Sequence, residues 1–442
     1  MLKNHRNLLI IVAIVATTSR VQAQPILLGE QAKLGEHFRY ELELSVEGRI
    51  KTEREGKTEA MALTAAATHK FVERVENIEQ SGGIGKAVRY YETAVSTSKV
   101  GSEVNKRELP IDRRLTVAVR NADGTLHFSP AGPLTRDELG LIGEHFDTLC
   151  LPTLLPGKEV QVGGTWKLAN DTTQHVCQFE GLVKNELVGT LTAVKDGLAT
   201  FTITGAAEGV ETGASARLTV QATGKFDIAA KRITELTWEQ TDDRSQGAVT
   251  PASDVKAKIT LKRAVVIEEP KELSAEARAK VPEDKVPATM TQLRYVDSDS
   301  KYSFTYSRDW HVVGRTSDHL ILRLLEKNQF VAQATFSSWK KSEAGKHTSV
   351  DDFKAVVANV KTWQADGIFE EGEVPVAEGC WLYSVAMKGK QNEAAVVQTF
   401  YLLAGPTGDQ VAVTVLAAAD NAKKVAGKDT ELIKTIQLTA KK

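Results

Sequence analysis

From Phe38 to about Arg263 the apolar positions recur every second residue. Tyr40, Leu42, Leu44 and Val46 alternate with Glu41, Glu43, Ser45 and Glu47, so one face of the segment is apolar and the other charged, as in a half-buried antiparallel strand. The alternation returns where Val255, Ala257, Ile259 and Leu261 interleave with Lys256, Lys258, Thr260 and Lys262. Between these two runs the same reading predicts strands around residues 60–78, 88–98, 115–120, 175–188, 198–204, 217–228 and 233–240. Asp123-Gly124 and Asp196-Gly197 sit between strand-like runs, where a tight reversal needs a positive φ that glycine tolerates, so neighbouring strands are expected to pair as hairpins.

One helix interrupts this sheet. Thr135 and Glu138 have the spacing of a capping box, and Leu139, Ile142, Phe146 and Leu149 follow at helical spacing until Pro152; the stripe is expected to lie across the sheet. After Val266 the texture changes. Pro270, Pro282 and Pro287 stand among Glu, Lys and Ala with few large apolar residues, the composition of an exposed linker. From about Thr291 both periods mix. Phe304 and Tyr306 begin a strand leading to Trp310, an apolar run covers 320–325, and further strands are expected at 330–339, 380–387, 394–403 and 410–417. Ser349 reads as an N-cap, and Val350, Phe353, Val356, Val357, Val360 and Trp363 make a helical stripe ending before Gly367; a last helix over about 421–436 buries Leu432, Ile433 and Ile436. The expected fold is mainly β plus α+β. A large antiparallel sheet with few helices, curved or barrel-like, occupies 24–265, a charged Pro-containing linker 266–290, and an α+β sandwich with an antiparallel sheet 291–442.

The first residues bear on where the protein works. Lys3, His5 and Arg6 precede the apolar run 8–16, and Val21-Gln22-Ala23 supplies a small-x-small cleavage site, the layout of a secretory signal over residues 1–23. The run is too short to span a bilayer, so the mature chain is expected to start at Gln24, to be periplasmic or extracellular, and not to span a membrane. No Cys follows the cleavage site, which argues against a lipid anchor. The formal charge of −1 loses Lys3, Arg6 and Arg20 with the signal, leaving −4 and no basic block, so nucleic acid is not an expected partner. Three cysteines in an exported chain raise the possibility of one disulfide, between Cys150 and Cys177, with Cys380 a buried small residue.

The stretch Tyr302-Ser-Phe-Thr-Tyr-Ser-Arg-Asp-Trp310, an aromatic strand running into a turn and a Trp, followed by an amphipathic helix and a strand meander, resembles the PsbP/DcrB-like fold over residues 291–440. That resemblance implies an interaction or assembly role, and it carries over no functional residues because the matching positions read as core. In the first part, Pro156-Gly-Lys-Glu-Val-Gln-Val-Gly-Gly-Thr-Trp166 and the pair Gly224-Lys-Phe-Asp-Ile228 and Arg232-Ile-Thr-Glu-Leu236 look like exported curved-sheet proteins of the LolA/LppX type. Those imply an apolar cavity under covering helices. This chain offers few such helices, and a plain barrel or open sheet fits nearly as well.

Candidate chemistry is sparse. Ser81-Gly-Gly-Ile-Gly-Lys86 lacks the hydroxyl after the Lys and the helix that a phosphate loop requires, so it reads as a hairpin loop. No His-Glu-x-x-His pair holds zinc; Glu36-His37 and Glu144-His145 share the tetrapeptide Gly-Glu-His-Phe in different surroundings. Asp242, Asp243 and Arg244, and Asp297, Asp299 and Lys301, read as solvated turns rather than calcium loops. Ser215 lacks the setting of a nucleophile elbow. The six tryptophans read as core fillers. No cofactor, metal or catalytic set is expected, and whether the chain is an enzyme is left open, with a non-enzyme preferred. Three functions are ordered accordingly: a non-catalytic envelope protein that binds or scaffolds a partner protein, a carrier or sensor of an apolar ligand (lipid or lipoprotein) on the concave face of the first sheet, with small residues such as Ala60, Ala62, Ala65 and Ala67 leaving room, and last a hydrolase.

Overall fold

The computed structural model describes residues 24–54, 57–122, 124–143, 146–283, 285–297, 299, 301–316 and 318–438. The signal segment 1–23, Asp123 and the pair Glu144-His145 lie outside the described residues. Thirteen described strands form one antiparallel sheet. In spatial order its main path runs Thr165–Lys167, Val188–Lys195, Leu198–Glu211, Ala214–Asp227, Arg232–Arg244, Ala252–Val266, His37–Arg54, Lys57–Ile78, Ile84–Val100, Leu115–Asn121 and Gly124–Phe128, with Gly181–Asn185 and Glu103–Glu108 paired alongside.

The alternation seen in the sequence sets the register. Leu44 stands opposite Ile259, Ile259 opposite Trp238, and Trp238 opposite Ala222, so an apolar row crosses four strands. On the other face opposite charges meet across strands: Lys70 with Glu41 at 3.7 Å, Lys258 with Glu239 and Lys225 with Glu235 at 2.8 Å. A register slip of one residue would bury these charges, which is why the pairing is unique. Asp196 and Gly197 take φ of 52° and 78° in the hairpin that the sequence predicts.

The apolar face is covered as expected, by a shorter helix. Thr135 and Glu138 close the capping box in both directions, at 2.8 and 3.1 Å, but the helix spans only Arg136–Gly143. The Asp147 side chain then caps a separate 3-10 segment, Thr148–Leu154, by accepting from the Leu149 N–H. Phe146 meets Trp238 edge-on with ring centroids 5.6 Å apart, and Trp238 is fully buried. The expected strand over 175–188 is corrected. A helix occupies Asn170–Val176, burying Thr172, Thr173, His175 and Val176, and Gln178 turns the chain at φ 57° into the strand Gly181–Asn185. Asp242 and Arg244 likewise belong to the strand Arg232–Arg244 and not to a turn, with Asp242 buried.

The Pro-containing segment is largely exposed but is fastened to the first sheet at a few points. Leu273 is fully buried and packs with Val72, Val88, Val117 and Phe128, Arg278 reaches Glu76 at 3.1 Å, and Lys86 donates to the carbonyls of Pro282 and Glu283. The physical reason lies in the sheet: those four apolar side chains form a second, smaller core, which needs a cover of its own.

Beyond it, a seven-stranded sheet runs Trp310–Arg315, His319–Glu326, Gln329–Ser338, Gln410–Ala418, Ala394–Ala404, Trp381–Gln391 and Gln364–Glu373. A four-stranded sheet packs on one face, with Phe304 stacked on Phe336 at 4.7 Å. Its outer strand Leu134–Thr135 comes from the first half of the chain and pairs in parallel with Leu293–Val296. The helix Val350–Ala358, capped by Ser349, places Phe353 and Val357 on the other face. The long antiparallel sheets and few helices are those of the expected mainly-β plus α+β class. Two details differ. The helical stripe ends at Ala358, and the chain from Gln364 is an edge strand; the final helix is broken into Ala422–Val425 and Lys428–Lys434 at Gly427, whose φ is 88°.

Candidate functional site

The seven-stranded sheet leaves a groove of about 430 Å³ at one end of the face that carries the four-stranded sheet. Its floor is built by register: Ala386 lies opposite Thr399 and Thr399 opposite Val415, while Val397 lies opposite Ala417. These are small or β-branched side chains, so the floor is shallow and apolar. Val425 and Ala426 of the broken C-terminal helix form one wall. That wall is pinned to the sheet by Tyr401, whose hydroxyl donates to Asp429 Oδ2 at 2.7 Å, while Asp429 Oδ1 accepts the Thr430 N–H at 2.8 Å. Burial and the neighbouring Asp429 carboxylate hold the Tyr401 phenol well above its ordinary range, so it stays a neutral donor.

The opposite wall is Phe369 and Glu370 of the edge strand Gln364–Glu373. The register against Trp381–Gln391 shifts between Ala365 and Gly367 and again between Ile368 and Glu370, which makes Phe369 the extra residue of a bulge. Bulges re-aim side chains at sheet edges, and here one brings a large ring to the groove wall with the Lys388 ammonium 5.0 Å from its centroid. Phe369 is 49% exposed and Ile368 42%. The strand carries Asp366, Glu370, Glu371 and Glu373 and no basic residue. Glu371 pairs with Lys354 at 2.8 Å and Glu373 accepts the Trp381 indole N–H at 3.0 Å, whereas Asp366 and Glu370 have no ion-pair partner among the described residues.

A smaller space of about 190 Å³ lies where the first sheet, its helices and the hairpin strand Leu198–Glu211 converge, lined by Thr125, His127, Asp147, His175 and Glu180 among others. Its polar groups are occupied in holding elements together. Asp147 accepts from Leu149 N–H, Thr125 hydroxyl and the Cys150 thiol; Glu180 accepts from Thr212 N–H and the Asn328 amide. Burial, then Arg89 and Arg308, push His127 well below the ordinary histidine range. No group of three potential ligands able to hold a metal occurs among the described residues.

The two cysteines singled out in the sequence are both buried, free thiols. Cys150 donates to Asp147 Oδ2 at 3.3 Å, and burial with that carboxylate pushes its thiol well up. Cys177, buried near Asp242, is pushed up to about 12. At both sulfurs burial disfavours the thiolate that disulfide exchange requires. Cys380 is half-buried rather than buried.

The first sheet also forms a trough of about 640 Å³, but it opens on the polar face, between Ser45, Glu47, Thr64, Thr219, Glu239 and Lys258. Its Lys258 and Glu239 neutralise each other. Val46, Val220 and Ala257 line it as well; of the four alanines, Ala60 and Ala62 are exposed and Ala67 is buried.

Sequence reasoning missed the groove because it extended the helical stripe through Trp363. The glycines at 367 and 372 flanking Ile368-Phe369 were the available signal for an irregular strand.

No family model matches this chain, and no curated protein does. Among solved structures it is similar to a crystal structure from Bacteroides thetaiotaomicron, at 10% identity over 34% of this chain and 48% of that one, with a TM-score of 0.25; the chain thus spans about half of that protein's length. It is also similar to the solution structure of cyanobacterial PsbP (CyanoP) from Synechocystis, at 14% identity over 34% of this chain and 92% of that one, TM-score 0.25, and to lipovitellin, at 8% identity over 55% and 27%, TM-score 0.32. Scores of this size mark partial overlaps of strands and nothing beyond them.

Proposed function

We propose that the chain is an exported, non-catalytic binding or scaffold protein of the bacterial cell envelope, acting through protein–protein contacts. The observation that carries this reading is an apolar groove bordered by a fully open sheet edge, an arrangement that gives a partner both side-chain pockets and main-chain hydrogen bonds. Export rests on the three-part amino-terminal pattern alone. The test is capture from envelope extract with the mature protein, residues 24–442, beside a variant in which Phe369→Glu places a charge in the groove wall. A partner retained by the parent protein and lost by the variant supports the reading. Capture that is equal for both, or empty eluates across repeats, counts against it.

A further inference from the structure

We propose that the edge strand Gln364–Glu373 takes a basic, extended segment of another protein as an eighth strand of the C-terminal sheet. This deepens the binding-protein reading and rests on it. The strand is the last in its sheet, and its only ladder partner among the described residues is Trp381–Gln391. Nine of its ten residues are exposed, so nothing in the described chain covers the outer row of backbone N–H and C=O groups. An uncovered edge is a hazard that proteins blunt with charges and bulges, and this strand has both. The choice of charge is what identifies the occupant.

All four charged residues are acidic, and Asp366 and Glu370 are left without a cation. The bases nearest in register, Lys388 and Lys390, belong to the neighbouring inner strand, opposite Gly367 and Gln364. A second copy of this edge would set acid against acid, which is unfavourable for directly opposed residues. A strand with lysine or arginine at alternate positions would instead face Asp366 and Glu370, and the two-residue period would send the intervening apolar side chains to one face. Glu370 lies opposite Ala386 and so on the groove side, which sends those apolar side chains to the other face, where Ile368 lies opposite Met387. The acidic charge that excludes self-pairing thus also selects a cationic partner, through Asp366 and Glu370, a division between attraction and repulsion usual in specific interfaces.

The probe is a fluorescein-labelled peptide of alternating lysine and valine, about ten residues long to match a strand of this size. Its glutamate counterpart and a version N-methylated at alternate amides serve as controls, and binding to the mature protein is read by anisotropy. The basic peptide is expected to bind at least about tenfold more tightly than either control, and Asp366→Lys with Glu370→Lys to reverse the preference between basic and acidic peptides; opposed charges across an interface have this reach. Amide hydrogen exchange should slow within residues 364–373 when the basic peptide is present. Equal binding of the methylated peptide, slowing elsewhere with none at 364–373, or a dimer forming through this edge in sedimentation would each overturn the assignment. Because both substituted residues are exposed, an unchanged thermal midpoint confirms that the variant is folded. Should the peptide fail while envelope capture still returns a partner lost with Phe369→Glu, the edge assignment falls and the binding-protein reading stands.

Discussion

The ionic side chains buried in the first sheet are placed to specify its geometry. Arg89 donates to Glu73 at 2.7 Å with both side chains almost wholly buried, and it also reaches Thr148 at 2.7 Å and lies over the Phe71 ring. Arg263 pairs with Glu30 in the same way beneath Phe38 and Tyr40. Buried pairs of this kind contribute little net stability, but removing one partner costs about 3–5 kcal/mol because a charge is left alone. They therefore fix which strands meet more than they strengthen the meeting. Histidines wholly or partly buried make stability depend on pH. Burial, with Arg136 nearby and Asp309 opposing, lowers His311 to about 4 from 6.5, so between those values the unfolded chain binds more protons than the folded one. Stability must then rise with pH across that window and fall on acidification. His127 acts with the same sign; Asp242, whose carboxyl burial raises, acts with the opposite one, because its folded form holds a proton more readily. The urea midpoint is expected to drop from pH 6.5 to pH 4, and His311→Gln to make that drop shallower. An unaltered slope in the variant would assign the effect to another group.

At the scale of elements, the two halves meet hairpin to hairpin. Thr212 and Gly213 turn with φ of 50° and 75°, and Lys327 and Asn328 with 49° and 63°. A Cβ on Gly213 would come within 2.6 Å of the Asn328 carbonyl oxygen, while the Asn328 amide donates to Glu180 across the same contact. Gly213→Ala is therefore strained twice, by its φ and by the neighbouring turn, and is expected to cost more than about 1 kcal/mol in urea unfolding; a cost near zero would mean that the hairpins do not touch in solution. Gly213 stands in the sequence as an ordinary turn residue, and its second constraint comes from a residue more than a hundred positions away. The same divide runs through the whole fold. Period-two runs such as 38–46 and 255–261, and the capping residues Thr135 and Ser349, were legible because both alternation and capping are local. The helix at 170–176, the break at Gly427 and the edge strand at 364–373 were not, because burial of Thr173 and His175, and the end of a stripe at Ala358 rather than Trp363, are decided by what packs against them. The candidate groove inherits that opacity, since its floor comes from three strands and its walls from two elements that sequence periodicity misdrew.

For the whole molecule, the segment 267–290 separates two sheets in sequence while the fold ties them together around it. Leu134–Thr135 pairs with Leu293–Val296, Arg308 donates to the His127 carbonyl, and one continuous core contains both Trp238 and Phe336. Leu273 and Arg278 fasten the segment itself to the first sheet. If these contacts hold the halves, the covalent link is dispensable once folding is complete. Cutting a protease site introduced beside Glu283 should then leave a nicked protein that elutes from a sizing column at the volume of the intact chain. It should separate into two pieces only in denaturant. Interfaces within a chain that are large and apolar behave in this way, whereas polar ones allow their domains to part. Separation under native conditions would show the halves to be tethered modules. In that case the hairpin contact at Gly213 and the shared strand at Leu134 would contribute too little to couple the groove of the second sheet to the first.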